Sequence, residues 1–292
     1  MPEITDKKIL ALEEMANTLR QDVIRMVSDA GSGHVGGSLG MADVFAAMYF
    51  HILNHDPKNP YWEHRDRLVL SNGHICPVLY AALAHAGYFP VEELNTLRKL
   101  GTRLQGHPHR KALPGIETTS GPLGSGISQA IGFALAARLD RDPSTSSGRG
   151  GAYRTYCITS DGEHQEGNTW EAIMFAGKNR LSNMTVIVDR NNIQIDGDTE
   201  DIMPLEPFRA KYESFNWHVI EINGHDLYQI ISAAAEARAI HEKPTAIIAH
   251  TIPGKGVSFM ENDYTWHSKP FKPGEAAAAI SELKEYGRKL KA

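Results

Sequence analysis

Apolar residues follow two different spacings along the chain, and each spacing predicts a different kind of element. From about residue 6 to 29 they recur every three or four positions, which predicts a long amphipathic helix that ends at Gly31. A second helix is expected to begin near Met41, after a glycine-rich turn, and to stop at the loop 54–60. Residues 1–60 are therefore predicted to form a helical segment.

Short apolar runs replace the helical spacing after residue 66 and predict buried strands. The strands are expected at 67–70, 155–159, 184–188, 218–222 and 245–250. Helices are expected between them at 77–86, around 170–175 and at 227–240. Strands that alternate with helices are typical of a parallel sheet, so we predict an α/β fold, a doubly wound parallel sheet with helices on both faces.

The sequence predicts one domain over residues 1–292. It contains no internal repeat, and its one low-complexity segment, 142–151, has the composition of a solvated loop rather than of a domain boundary. A final helix is expected at 273–292, with a basic end.

Composition and charge narrow the function classes. The chain has 292 residues, of which 41% are hydrophobic and 22% are charged, as in a soluble globular protein. Its net charge of -5 comes without a basic block, so neither nucleic-acid binding nor a membrane anchor is indicated. Cys76 and Cys157 lie far apart, which argues against a disulfide framework or a thiolate zinc site. The amino terminus lacks a signal-peptide pattern, and a cytoplasmic location is expected.

Two polar motifs follow predicted strands at the places where a parallel sheet collects its ligands. Asp161 lies in an SDG turn and Asn191 in the segment DRNNIQIDG. The carboxyl ends of parallel strands share one edge, so the two side chains can converge on one ion. A carboxylate, an amide oxygen and the carbonyl of Ile193 would suit Mg²⁺ and leave room for a diphosphate. As isolated motifs, both are also common in ordinary turns.

The spacing of these two motifs resembles the thiamine diphosphate motif, although Ser160 stands where that motif usually has its first glycine. Further segments resemble the amino-terminal half of transketolases, in the same order. They are SGHVGGSLGMAD (32–43), RDRLVLSNGH (65–74), QGHPH (105–109), TTSGPLGSGIS (118–128), SDGEHQEGNTWEA (160–172), DRNNIQIDG (189–197) and GKGVSFMENDYTWH (254–267). The resemblance covers nearly the whole chain and implies the diphosphate-binding (PP) domain of the thiamine diphosphate-binding fold.

The resemblance also implies roles for individual residues. Asp161, Asn191 and the Ile193 carbonyl would bind Mg²⁺, for which Ca²⁺ or Mn²⁺ could substitute. His34 and His107 would line the channel for substrate hydroxyls, while Leu123 and Ile195 would hold the thiazolium ring. The residues expected to contact the cofactor are His74, Gly121, Leu123, Asp161, Gly162, Glu166, Asn191, Ile195 and His267. Of these, His74, Gly162 and His267 would lie near the diphosphate. Gly121 would lie near the aminopyrimidine, and Glu166 would lie toward the partner subunit. The residues expected to be catalytic are His34, His74, His107 and His267.

The implied activity is the transfer of a two-carbon ketol unit from a ketose phosphate to an aldose phosphate. The resemblance implies that the family's cofactor-activating glutamate belongs to the pyrimidine-binding domain, and we expect this chain not to include that domain. The resemblance therefore implies a partner, the C-terminal transketolase subunit, and an α2β2 heterotetramer. The particular sugars, the pathway and whether the chain is a natural subunit or a piece of a fused enzyme stay open.

Some of the same motifs also occur in other classes of protein. Another thiamine diphosphate enzyme, similar to 1-deoxyxylulose-phosphate synthase or to the alpha subunit of a 2-oxo-acid dehydrogenase, would share the metal motif, and a non-catalytic subunit could retain the fold. The segment 31–36 fits GxGxxG, yet it follows a helix rather than the strand that nucleotide binding requires. Histidines such as those at 107–109 lack the HExxH or cysteine spacing of a zinc enzyme.

Overall fold

The computed structural model describes residues 4–140 and 153–291 of the chain, so the loop expected at 142–151 lies outside the described residues. The helices are α1 (Asp6–Ala30), α2 (Gly36–Gly40), α3 (Ala42–Ala47), α4 (Cys76–His85), α5 (Ser125–Leu139), α6 (Gly167–Lys178), α7 (Thr199–Ile202), α8 (Phe208–Ser214), α9 (Leu227–Ala239) and α10 (Glu275–Leu290). The strands are β1 (Arg67–Leu70), β2 (Thr155–Ser160), β3 (Met184–Arg190), β4 (Ile193–Gln194), β5 (Gly197–Asp198), β6 (His218–Asn223) and β7 (Thr245–His250).

Five strands form one parallel sheet in the order β1-β2-β3-β7-β6. The short strands β4 and β5 pair separately as an antiparallel hairpin. The predicted strands are thus confirmed, with the ends of β2, β3 and β6 extended by one or two residues. The predicted fold class is confirmed as well.

Helices cover both faces of this sheet, as the alternating strand residues require. Tyr156 and Ile158 pack into one apolar cluster with α1, α3, α4 and α9, whereas Cys157 packs into a second cluster with α5, α6 and α8. Successive side chains of a strand point to opposite faces, so a strand that is apolar throughout must be covered twice. Within the described residues, no helix is long and apolar enough to cross a membrane.

The order in which strands are added to the sheet reverses between β3 and β7, and a parallel sheet is expected to leave a crevice outside its carboxyl edge at such a point. The segment after β3 packs α8 on one face, while Val257 and Met260 after β7 pack on the other. Neighbouring strands whose following segments diverge in this way leave room for a ligand outside their ends. Asp189 near the end of β3 and Thr251 after β7 lie at this point.

The first 60 residues are largely helical, but the second helix does not start where the sequence predicts. α1 ends at Gly31 in the left-handed conformation (φ 63°), as expected. The next helical residues begin at Gly36 rather than near Met41, and they continue through α3 into a π-helical turn at Met48–Ile52. A Cβ on Gly36 would lie 3.1 Å from the Trp266 carbonyl oxygen, so this glycine permits close packing instead of making a turn.

Candidate functional site

Four histidines from separate parts of the chain meet beyond the sheet edge. The ring centroid of His34 lies 5.0 Å from that of His74, 5.2 Å from that of His267 and 6.3 Å from that of His107. The centroids of His74 and His267 are 5.0 Å apart. His34 follows α1, His74 follows β1, His107 lies in the long loop before α5, and His267 ends a turn that follows β7. The structure therefore brings the two histidines that were expected to line a channel, His34 and His107, close to the two that were expected near a diphosphate, His74 and His267.

Burial lowers the pKa values of these histidines and so favours their uncharged form. Burial, followed by His267 and Arg98, lowers the pKa of His34 to about 3. Burial also lowers the pKa of His74 well below its usual value and lowers those of His107 and His267. A neutral imidazole can donate one hydrogen bond and accept another, which suits the hydroxyl and carbonyl groups of a sugar.

Two polar side chains at this cluster have buried atoms that lack a hydrogen-bond partner within the described chain. They are Nδ1 of His34 and both polar atoms of the Asn72 amide. Asn72 is fully buried and lies two residues before His74. Because buried polar atoms are normally paired, these atoms fit the polar groups of a bound ligand. Sequence reasoning missed Asn72, although it lies inside the motif SNGH.

The backbone of α2 brings the histidine cluster next to the strand ends. A Cβ on Gly36 would lie 3.8 Å from the backbone nitrogen of His267, and a Cβ on Gly37 would lie 3.6 Å from Oδ2 of Asp189. The backbone N–H of Gly254 donates to the Gly36 carbonyl at 2.9 Å. Side chains at these glycines would push α2 away from both groups. The double glycine therefore joins the two parts of the site.

Asp161 is fully buried just after β2 and is surrounded by hydrogen-bond donors. Its Oδ1 accepts from the Gly162 N–H at 2.7 Å, and its Oδ2 accepts from the Asn192 N–H at 2.6 Å. The Arg190 guanidinium lies 3.2 Å from Oδ2. Burial raises the pKa of Asp161 to about 6, and Arg190 and the backbone N–H groups oppose this rise only in part. A further cation would therefore stabilise the charged carboxylate.

Asn191 lies in the adjoining turn after β3, and Ile193 begins β4. The Asn191 amide donates to Oδ2 of Asp189 at 3.0 Å, and its Oδ1 accepts from the Ile193 N–H at 3.0 Å. The Ile193 carbonyl oxygen faces Gly162, where a Cβ would lie 3.9 Å from it. The expected donors thus occupy neighbouring segments, and they combine one carboxylate with an amide and a carbonyl. Among the described residues, no group of three or more His, Cys, Asp or Glu side chains could hold a metal.

Asp189 is a second buried acid at this edge, and sequence reasoning did not include it as a candidate. Its carboxylate accepts hydrogen bonds from the Thr251 hydroxyl and from the Asn191 amide. Burial raises its pKa to about 7, and the nearby Asp161 adds to the rise. Two buried acids with raised pKa values, of which Asp161 pairs with Arg190, leave this edge able to accept a cation. Its position directly after the apolar run 184–188 parallels that of Asp161 and could have revealed it.

Glu163 was also missed, and it ties two loops of the site together. It is fully buried, and its Oε1 accepts from the Ser71 hydroxyl at 2.5 Å and from the Gly124 N–H at 2.6 Å. Its Oε2 has no partner in the described part of the chain, and burial raises its pKa to about 7. The loop that carries His74 is thereby fixed to the turn that carries Leu123.

The remaining predicted residues are partly or largely exposed. Gly121 is half-buried, and a Cβ there would meet nothing within 4 Å. Leu123 is half-buried, and Ile195 at the tip of the β4–β5 hairpin is 66% exposed. Glu166 is exposed at the start of α6. Apolar side chains such as Ile195 gain from being covered by a ring. Their contacts with a cofactor remain a prediction.

Comparison with known proteins gives one family for nearly the whole chain. Residues 11–288 match the family described as transketolase, thiamine diphosphate binding domain. The chain is 45% identical over 276 residues to the 6-deoxy-6-sulfo-D-fructose transketolase subunit SqwG of Clostridium sp. (strain MSTE9), covering 94% of this chain and 97% of that protein. It is 36% identical over 283 residues to an apulose-4-phosphate transketolase subunit of Phocaeicola vulgatus, covering 97% of each.

Longer relatives match over part of their length only. Transketolase from Rattus norvegicus is 36% identical over 281 residues, which are 95% of this chain but 42% of the rat protein. The solved structure of transketolase from Leishmania mexicana superposes with a TM-score of 0.82 and 32% identity, covering 96% of this chain and 46% of that one. The chain thus spans less than half the length of these two proteins.

Proposed function

Because this chain belongs to the transketolase family and carries its thiamine diphosphate-binding domain, we propose that it is the diphosphate-binding subunit of a ketol-transferring enzyme. The enzyme would move a two-carbon ketol unit from a ketose phosphate to an aldose phosphate. The observation that carries this proposal is the meeting of four histidines beside a sheet edge with two buried acids. Residues 1–292 would form a single diphosphate-binding (PP) domain.

The polar groups at the strand ends would hold the diphosphate through a divalent cation. Asp161, the Asn191 side chain and the Ile193 carbonyl would bind Mg²⁺, with Ca²⁺ or Mn²⁺ as substitutes, since hard oxygen donors suit these ions. The raised pKa of the buried Asp161 supports this assignment. His74 and His267 would lie at the diphosphate beside Gly162. When bound, thiamine diphosphate would supply the nucleophilic carbon and the electron sink of the reaction.

The rest of the site would orient the two rings of the cofactor and the sugar. Leu123 and Ile195 would enclose the thiazolium ring, which agrees with the exposure of Ile195, and Gly121 would allow the aminopyrimidine to approach the backbone. His34 and His107 would bind substrate hydroxyls. Nδ1 of His34, which has no partner among the described residues, can donate to or accept from a substrate hydroxyl.

A second polypeptide would complete the enzyme. Two relatives that this chain covers almost entirely are named as subunits, whereas the chain covers 42% of the rat transketolase. We therefore expect a C-terminal transketolase subunit with the pyrimidine-binding domain and an α2β2 heterotetramer. Glu166 would face that subunit. Two buried free cysteines, Cys76 and Cys157, agree with a cytoplasmic location for the assembled enzyme.

An apolar face on α5 and α6 suits contact with this partner. Leu139, Met174 and Phe175 are 72%, 52% and 45% exposed, although all three are apolar. Between the two helices lies a groove lined in part by Leu135 and Phe175. Large exposed apolar areas generally mark protein contacts. Because Glu166 begins α6, this face and the predicted partner contact lie on the same helix.

Calorimetric titration of thiamine diphosphate with Mg²⁺ tests the proposal directly. The chain is titrated alone and then mixed with the C-terminal transketolase subunit of its own organism, and ketol transfer is measured in parallel. We expect binding that appears or tightens with the partner, and transfer that requires both polypeptides. Full transfer by the isolated chain would refute the split enzyme. Absence of cofactor binding in both preparations would refute the thiamine diphosphate function.

A further inference from the structure

Arg98 extends over the outer end of the histidine cluster from the long loop before α5, and the proposed chemistry gives this residue no role. Its side chain is exposed and lines an open groove together with Ser32, Gln105, His107 and Ser120. We call this the Arg98 groove. It adjoins the cluster through His107, whose ring lies 6.3 Å from that of His34. A molecule that extends outward from the histidines would therefore reach the guanidinium.

The fold holds this guanidinium over the groove. Arg98 adopts a left-handed backbone conformation with φ 58°, which is unfavourable for a residue that has a Cβ. Its Nη1 donates to the Ser32 hydroxyl at 3.3 Å, across 66 residues of chain. A Cβ on Gly106 would lie 2.9 Å from Nε, Cζ and Nη2 of Arg98, so the missing side chain at Gly106 makes room for the planar group. Backbone strain of this kind is most often retained where it serves a function.

The charge of Arg98 acts on the site and has no counter-charge in the part of the chain that the structure describes. Within the described residues, no carboxylate lies within ion-pair distance of it, whereas Arg103 in the same loop pairs with Glu93 at 2.5 Å. The positive charge of Arg98 contributes to the lowered pKa values of His34 and His107. Its electrostatic field thus reaches the cluster that would hold the sugar. An anion in the groove would supply the missing counter-charge.

We propose that Arg98 is a specificity residue that binds the anionic terminal group of the sugar substrate. The sugar hydroxyls would contact His34 and His107, and the terminal phosphate or sulfonate would lie against the guanidinium. A planar guanidinium can donate two parallel hydrogen bonds to such a tetrahedral anion. This assignment rests on the proposed ketol transfer. It gives this chain part of the substrate specificity, in addition to whatever the partner subunit supplies.

The test compares charged and uncharged acceptors in the assembled enzyme. We measure kcat/KM for an aldose phosphate, for the aldose bearing a terminal sulfonate, and for the same aldose without either group. In Arg98→Gln the ratio of charged to uncharged kcat/KM should fall about 10- to 100-fold, as expected for the loss of hydrogen bonds to a charged group. Arg98→Lys should recover part of the ratio. Lys99→Gln removes one charge from the neighbouring exposed position and should leave the ratio unchanged.

The outcomes separate the anion site from other causes. A fall for both anions supports a general anion site, and a fall for one of them identifies the terminal group. An equal loss for charged and uncharged aldoses, or no change in the ratio, would overturn the proposal. Calorimetric titration of inorganic phosphate into the assembled protein tests the site without turnover, and Arg98→Gln should weaken that binding. If the wild type transfers no ketol unit yet binds phosphate through Arg98, the proposed function fails while the anion site stands.

Discussion

The Glu163 carboxylate accepts a 2.5 Å hydrogen bond from the Ser71 hydroxyl, a residue 92 positions earlier in the chain. The same oxygen accepts from the Gly124 N–H at 2.6 Å. One buried acid therefore fixes the loop after β1, the start of α5 and the turn after β2 relative to one another. The proposed cofactor contacts at His74, Leu123 and Asp161 lie on these three segments, so their geometry depends on Glu163.

Removing this link should loosen the site more than it loosens the fold. Glu163→Ala leaves the Ser71 hydroxyl and the Gly124 N–H without their buried acceptor, which should lower the free energy of unfolding by about 1–3 kcal/mol. Glu163→Gln keeps an acceptor oxygen and should retain most of the stability and of the thiamine diphosphate affinity. Urea unfolding and cofactor calorimetry measure the two effects. Equal cofactor affinity in Glu163→Ala and the wild type would show that the link does not position the loops.

Asp161→Ala should abolish Mg²⁺-dependent retention of thiamine diphosphate in the assembled complex. The variant removes the one carboxylate of the proposed donor set, and loss of a metal ligand should raise the cofactor dissociation constant by ~100-fold or more. The control is Asp29→Ala, which removes an exposed acid from α1. Circular dichroism should report an intact fold in both variants. Undiminished cofactor affinity in Asp161→Ala would mean that another group binds the metal.

Gly73 and Ser120 provide a packing test of the loop that carries Gly121. A Cβ on Gly73 would lie 2.2 Å from the Ser120 hydroxyl oxygen and 2.8 Å from its Cβ. Gly73→Ala should therefore cost about 1–3 kcal/mol of unfolding free energy, as overpacking does. Ser120→Gly in the same chain removes both clashing atoms and should restore part of the loss. Gly132→Ala is the control, because a Cβ there meets nothing within 4 Å.

The pKa of His34 predicts how stability responds to acid. Burial, His267 and Arg98 lower this pKa in the folded chain from the usual 6.5 to about 3. The unfolded chain therefore binds a proton that the folded chain does not, and stability is lost as pH falls from about 6.5 toward 3. His34→Gln should remove up to ~1.4 kcal/mol per pH unit from the slope of unfolding free energy against pH in that window.

Urea unfolding between pH 4.5 and 7.5 measures this slope. The difference between His34→Gln and the wild type cancels the titration of groups that both proteins share. His241→Gln replaces an exposed histidine and serves as the matched control. Identical slopes for His34→Gln and the wild type would show that His34 is solvated or charged in the folded chain.

The strands and the helices could be predicted unequally well from the sequence, for a physical reason. A parallel strand that is buried on both faces appears as a continuous apolar run, and the runs 67–70 and 245–250 coincide with β1 and β7. α5 was missed because it is apolar on several sides, so it shows no single apolar stripe, and because Gly126 and Gly132 weaken its helix signal. α2 was taken as a turn, since its glycines serve packing that only the fold reveals.

The residues of the candidate site could also be predicted unequally well from the sequence. The family resemblance gathered His34, His74, His107 and His267, and the structure places their rings side by side. Glu163 carries no comparable signal, because its importance comes from two hydrogen bonds to distant loops. The role proposed for Arg98 rests on its backbone conformation and on the lack of a nearby acid in the described chain. Such relationships between distant segments cannot be inferred from local spacing.

Phe175 tests the proposed contact with the pyrimidine-binding subunit. It is 45% exposed on α6, beside Met174 and across the groove from α5, so a charge there should cost little in the isolated chain. In the assembled enzyme, Phe175→Asp would bury that charge against apolar partner groups and should raise the dissociation constant of the subunits at least ~10-fold. Tyr61→Asp alters a side chain that is 76% exposed elsewhere and should leave assembly unchanged.

Sedimentation of the mixed subunits measures the association, and urea unfolding of each isolated variant detects any effect on folding. Wild-type assembly by Phe175→Asp would move the partner contact to another face, because an aspartate cannot be accommodated in an apolar interface without a loss of affinity.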